Sequence, residues 1–157
     1  MLTGLAAARV QCVVVGGVAM RASGSSFRTD DLDICYDTAA DNLHRLVTLL
    51  ASWNAYPRGW DPKLPFVLDA RTFRITPLLT LVTTEGALDL LDLVAGVGDY
   101  RACKQQADEV VLFGCTTYAL SLDALISAKR ARGRPKDRLH LVELEAIREL
   151  RRKSTRA

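Results

Sequence analysis

The sequence predicts an α/β (α+β) fold, with a small mixed sheet, flanking helices and a helical C-terminal end. Short apolar runs such as Val13-Val14-Val15, closed by glycine, read as buried strands. They alternate with stretches of helical spacing, clearest where Leu43, Leu46, Val47 and Leu50 recur on one face. Beyond Ser121 the pattern is helical throughout. The 157 residues fit one domain, and 49% hydrophobic with 25% charged residues is the composition of a chain that buries its own core. The expected organisation is a core over residues 1–120 and a helical segment over 121–157, packed on the same domain and ending in a basic tail.

The elements follow in order. Residues 2–9 read as a short helix. Gln11–Val15 is a buried strand that ends at Gly16-Gly17, Val18–Ala22 can form a helical turn, and Ser23–Asp30 is a polar loop before a second strand, Leu32–Tyr36. Thr38–Trp53 is a helix with Thr38 or Asp37 as a cap. Pro57, Gly59, Pro62 and Pro65 predict an irregular surface loop over 54–65. Phe66–Leu68 reads as a strand or short turn, and Asp69 can cap a brief helix through Arg74. Leu78–Thr83 and Ala87–Leu91 pair around the turn Thr84-Glu85-Gly86. Asp99–Gln106 is helical, and Glu109–Phe113 and Thr116–Tyr118 are short strands around Gly114. Ser121 caps a helix to about Arg132, Gly133 closes it, and Pro135 opens another to about Arg152. On that last helix Leu139, Val142, Ala146 and Leu150 share one side, widened by Leu141, Leu144 and Ile147, so most of this stripe is expected in a core or an interface.

Several classes are excluded or disfavoured. No apolar run reaches the roughly 18 residues that a membrane helix needs. The start, MLTGLAAARVQC, lacks the basic region and apolar run of a secretory signal. Cys12, Cys35, Cys103 and Cys115 form no C-x-x-C pair, and His44 and His140 lie far from them in sequence, so no structural zinc site is expected and the compartment expected is the reducing cytoplasm. The net charge of +3 hides an asymmetry: residues 128–157 carry eleven Lys or Arg against four Asp or Glu, whereas residues 1–127 carry ten against fourteen. An acidic body with a basic end points to a polyanionic partner; a solvated helix face has the same pattern.

The chemistry concentrates in Val13–Ile34, VVVGGVAMRASGSSFRTDDLDI. On a strand, residues two apart share a face, so Asp31 and Asp33 project together while Leu32 and Ile34 enter the core. Two ionised carboxylates side by side repel unless a cation lies between them, and hard oxygen ligands suit Mg²⁺, with Mn²⁺ as an alternative. Gly16 and Gly17 let backbone approach a phosphate closely. A further carboxylate, Asp89, falls among the apolar residues of the predicted hairpin, where an isolated charge is costly. Asp92, three residues on, belongs to the opposite face, and Arg74 is a candidate ion-pair partner for Asp89.

This string resembles the nucleotidyltransferase superfamily, with its polymerase-beta-like fold, in which a glycine pair follows the first strand and an Asp-x-Asp opens the next. The resemblance assigns the motif to Gly16 and Gly17 and notes that Gly17 stands where many members have Ser. It implies that Asp31, Asp33 and Asp89 hold Mg²⁺, that Asp89 helps deprotonate the attacking hydroxyl, and that Gly16, Gly17 with Arg28 or Thr29 cradle phosphate. Residues 121–137, SLDALISAKRARGRPKD, are similar to a segment of small bacterial toxin-antitoxin and abortive-infection nucleotidyltransferases. By that likeness Lys129 clamps the triphosphate, Arg134 and Lys136 contact phosphate or RNA, and Asp137 either favours the helix N-terminus or holds Lys129 or Arg134. The implied reaction moves a nucleoside monophosphate from a nucleoside triphosphate to a hydroxyl, best placed at the 3′ end of tRNA, with a cognate antitoxin as partner. AMP transfer to a partner protein and a non-catalytic nucleotide- or RNA-binding module are the alternatives. A phosphate on Ser25, Ser26 or Thr29 would compete with the triphosphate.

Overall fold

A computed structural model describes residues 1–156. Helix α1 (Leu2–Ala7) leads into strand β1 (Cys12–Val15), helix α2 (Gly16–Ala22), strand β2 (Asp31–Tyr36) and helix α3 (Ala40–Ser52). Strand β3 (Tyr56–Pro57), helix α4 (Ala70–Ile75) and the hairpin β4 (Leu78–Thr83) and β5 (Gly86–Leu91) follow. Next come β6 (Leu93–Val94), β7 (Gly98–Asp99), helix α5 (Tyr100–Gln105), the hairpin β8 (Ala107–Leu112) and β9 (Cys115–Leu120), and helices α6 (Leu122–Arg132) and α7 (Pro135–Arg156).

Seven strands form one mixed sheet in the order β3-β4-β5-β2-β1-β9-β8, and β6 and β7 form a separate two-stranded ribbon. Parallel pairing occurs twice, between β1 and β9 and between β2 and β5; the remaining neighbours are antiparallel. The central strands are the most apolar. Val13, Val14, Ile34, Leu88 and Leu90 are wholly buried, each side chain worth roughly 1.5–3 kcal/mol on leaving water. Asn42 is buried too: its amide donates to Gln11 and Asp37 carbonyls at 3.1 and 2.7 Å and its Oδ1 accepts from Gln11 N–H at 2.7 Å, pinning α3 to the start of β1. Leu122, Leu125 and Ile126 of α6 and Leu144 of α7 belong to the same core as the sheet.

Five local expectations are corrected. Helix α2 begins at Gly16 rather than Val18, so the glycine pair is its first turn. Helix α3 starts at Ala40 without a side-chain cap, and Asp37 instead accepts from Ala39 N–H at 3.0 Å. The loop over 54–65 contains β3, a two-residue edge strand whose Pro57 needs no further ladder partner. Phe66–Leu68 forms neither strand nor turn. Of the α7 stripe, Leu139, Val142 and Leu150 are 64%, 71% and 65% exposed, whereas Leu144 lies in the core with Leu141 and Ile147 packed against it. The rotation of α7 follows its buried Asp137, which shares a face with Leu144 seven residues on, rather than the broader apolar stripe.

Asp69 caps α4 with a full capping box, and Ser121 caps α6 by accepting from Ala124 N–H. Gly133 closes α6 in the left-handed region at φ 60°. Among the described residues no helix is long and apolar enough to cross a membrane.

Candidate active site

Parallel pairing of β2 with β5 sets Asp33 directly beside Asp89, two residues along the same face from Asp31, which pairs with Ala87. Like charges abreast on neighbouring strands repel. Burial, then the charges of Asp31 and Asp89, push the Asp33 carboxyl up to about 6, although Gly17 N–H donates to it. Burial also raises Asp89, against the pull of Arg58. Asp92 falls elsewhere, in a separate hollow with Tyr36, Asp37 and Asp99.

The glycines have a reason that the sequence alone conceals. Gly16 has φ +60°, and a Cβ there would stand 2.1 Å from Asp33 Oδ2; a Cβ at Gly17 would stand 2.5 Å from Thr29 Cβ. Both glycines therefore make room for site side chains. The space that a Ser at 17 would fill is taken by Thr29, whose hydroxyl donates to Asp31 Oδ1 at 2.7 Å. Thr29 thus orients a carboxylate.

The opposite wall comes from the α6–α7 junction. Asp137 is fully buried. It accepts from Arg134 Nε at 2.7 Å, Nη2 at 3.1 Å and backbone N–H at 3.2 Å, and pairs with Lys129 Nζ at 3.4 Å. Burial resists its ionisation, but the two cations outweigh it and hold the carboxyl well below the usual range. Burial lowers Lys129, and Asp137 opposes that shift. Asp137 meets both alternatives: it holds Lys129 and Arg134, and from the first turn of α7 it accepts the backbone N–H of Arg134.

These walls enclose a cleft of about 280 Å³. Gly16, Gly17, Arg28, Thr29, Asp31, Asp33, Asp89, Lys129, Arg134 and Lys136 all line it, with Asp137 beneath. Five Lys or Arg side chains face it, Arg132 being the fifth. Leu78, Leu91, Met20 and Phe27 supply its apolar surface, and His140 packs edge-on to Phe27 at 4.5 Å. Burial, then Lys129, lower the His140 pKa.

Two further residues escape sequence reasoning. Arg58 Nη2 donates to Asp89 Oδ1 at 2.7 Å, and Nη1 lies 3.7 Å from Asp31 Oδ2, so Asp89 pairs with Arg58 and not with Arg74. No motif marks Arg58; only the β3–β4 pairing brings it there. Glu143 accepts from Ser25 Oγ, from Ser26 N–H at 2.7 Å and from Ser26 Oγ at 2.6 Å, strapping the loop that carries Arg28 and Thr29 onto α7. Its helical spacing from Lys136 and His140 is the signal that could have found it. A phosphate on Ser25 or Ser26 would meet this carboxylate.

Among the described residues, no three His, Cys, Asp or Glu side chains converge, as placed, on a point that could hold a metal ion. The donor chemistry nevertheless fits a hard divalent cation. Three carboxylates share one face, Asp33 is raised by burial and then by the other two, and the cation already paired with Asp31 and Asp89 is a guanidinium.

A mixed sheet in this order, with an acidic strand face opposite a basic helix junction, is a nucleotidyltransferase fold. The lincomycin-bound crystal structure of LnuA, a lincosamide antibiotic adenylyltransferase, superposes with a TM-score of 0.60 at 16% identity, covering 93% of this chain and 92% of that one. The antibiotic-resistance factor ANT(2'')-Ia does so in its solution structure (TM-score 0.55, 14% identity, 98% of this chain and 88% of that one). Its crystal structure with adenylyl-2''-tobramycin gives a TM-score of 0.54 at 14% identity, covering 98% of this chain and 94% of that one. No family model and no curated protein matches the sequence.

Proposed function

We propose that this protein is a metal-dependent nucleotidyltransferase that moves a nucleoside monophosphate from a nucleoside triphosphate to a hydroxyl, with the 3′ end of tRNA as acceptor. One observation carries the reading: Asp31, Asp33 and Asp89 face, across a single cleft, a network in which buried Lys129 and Asp137 hold the half-buried Arg134. The acceptor oxygen attacks the α-phosphorus, the bond to the bridging oxygen breaks, and pyrophosphate leaves. Asp89, raised by burial, takes the hydroxyl proton. Lys129, Arg134 and Lys136 offset charge on the triphosphate, and Asp137 fixes the first two in place. Gly16, Gly17, Arg28 and Thr29 form the floor. Bound Mg²⁺ or Mn²⁺, held by Asp31, Asp33 and Asp89, supplies charge stabilisation to the attacking and leaving oxygens.

The basic lining and the basic end of α7 support a polyanionic acceptor. The toxin role and an antitoxin partner rest on the resemblance of the 121–137 segment. A small antibiotic acceptor is the second reading, favoured by the substrates named for LnuA and ANT(2'')-Ia. The test is incubation with labelled nucleoside triphosphates, Mg²⁺ and, separately, total tRNA, lincomycin, tobramycin and the co-expressed neighbouring protein. Labelled tRNA supports the first reading; labelled drug or protein replaces its acceptor. No Asp33-dependent label anywhere defeats the enzyme reading.

A further inference from the structure

Arg58 stands where the acidic face needs a cation. Its guanidinium spans two strands, at 2.7 Å from Asp89 on β5 and 3.7 Å from Asp31 on β2. Both Asp31 oxygens are thereby engaged, Oδ1 by Thr29 and Oδ2 by Arg58. Asp89 Oδ1 is likewise engaged, accepting from Arg58 Nη2 at 2.7 Å. We infer that Arg58 is a resident counter-cation of the Asp31–Asp89 pair, competing with the divalent ion for the same oxygens and swinging away from them when the ion binds. This rests on the metal reading given above and adds to it a residue that sets how tightly the ion is held.

Three features make the exchange feasible. A guanidinium stays charged at any working pH, so only another cation can relieve the carboxylates of it. The Arg58 backbone is fixed independently, its N–H donating to Thr80 O at 2.9 Å, so release needs side-chain rotation while β3 stays paired. The side chain is also 36% exposed, so the freed guanidinium enters water rather than an apolar wall. A further side-chain hydrogen bond, to Leu81 O, is long at 3.4 Å. Arg58 thus keeps the metal-free site from carrying three mutually repelling charges, at the expense of metal affinity.

The test is Mn²⁺ titration of the nucleotide-free protein, followed by the electron paramagnetic resonance signal of free Mn²⁺. Arg58→Ala and the bulk-conserving Arg58→Gln are expected to bind Mn²⁺ about tenfold tighter than wild type, since a charge-assisted contact no longer has to break. Arg58→Lys, a compact charge without the fork, falls between. Metal-free Arg58→Gln should melt below wild type, and saturating Mn²⁺ should close the gap. Wild-type binding with equal or weaker binding by both Ala and Gln variants overturns the inference and leaves the metal reading standing. Absence of Mn²⁺ binding in every variant removes both.

Discussion

The cleft has an acidic strand face and a basic helix junction, and the two treat buried carboxylates in opposite ways. Asp137 is the more deeply buried, yet it stays ionised because two cations and a backbone N–H converge on it. Among the described residues Asp33 has no cation in contact, and its carboxyl rises to about 6, raised first by burial and then by the charges of Asp31 and Asp89. Burial raises both carboxyls; the opposite charges within reach reverse that shift at Asp137, and like charges add to it at Asp33. One region is neutralised by its own Lys129 and Arg134; in the other, Arg58 reaches only Asp31 and Asp89.

Substitutions at equivalent points should therefore act in opposite directions. Asp33→Asn is expected to lower nucleotide transfer by roughly a thousandfold or more, since metal charge stabilisation is worth several kcal/mol. It should at the same time raise the metal-free melting temperature by removing a repelled charge. Labelled-nucleotide transfer and thermal unfolding of one preparation check both, and a fall in melting temperature would erase the contrast between the two regions. Asp137→Ala leaves Lys129 buried without its partner and should cost about 3–5 kcal/mol in urea unfolding.

The contrast also has a pH signature. The folded-state pKa of Asp33 lies above its ordinary 3.8, so its contribution to stability is fully present below about pH 4 and is lost as pH rises through about 6. Metal-free wild type minus Asp33→Asn should thus lose up to about 2–3 kcal/mol between pH 4 and 7. The subtraction isolates Asp33 from His140, whose lowered pKa works in the opposite sense, its stability being lost as pH falls. Added Mg²⁺ should flatten the wild-type curve. The smallest effect is expected at Glu143, which only straps the loop carrying Arg28 and Thr29. Glu143→Gln should raise the KM for nucleoside triphosphate by about threefold with kcat unchanged, read from initial rates.

Much of the fold was legible. The β4–β5 hairpin, the Asp69 and Ser121 caps and the Gly133 stop rest on local rules that short sequence carries. Strand β3 was not, because a Pro-rich stretch shows no alternation and its pairing partner lies beyond α4. The α7 stripe misled for a different reason. Apolar spacing marked one broad stripe, and only the part of it beside the buried ion network, at Leu144, is wholly buried. The motif glycines were visible, but their work of admitting Asp33 and Thr29 side chains was not.

By itself the sequence determined which residues carry charge at strand and helix positions: Asp31 and Asp33 on one face, Lys129 and Asp137 at a helix junction. Such placement follows from backbone periodicity, which acts over a few residues. Tertiary structure alone decided that β5 lies parallel to β2, that Asp89 therefore stands abreast of Asp33, and that Arg58 reaches both strands. Those contacts join residues tens of positions apart, and only the pairing order of the sheet brings them within the few ångströms over which charges decide each other's state.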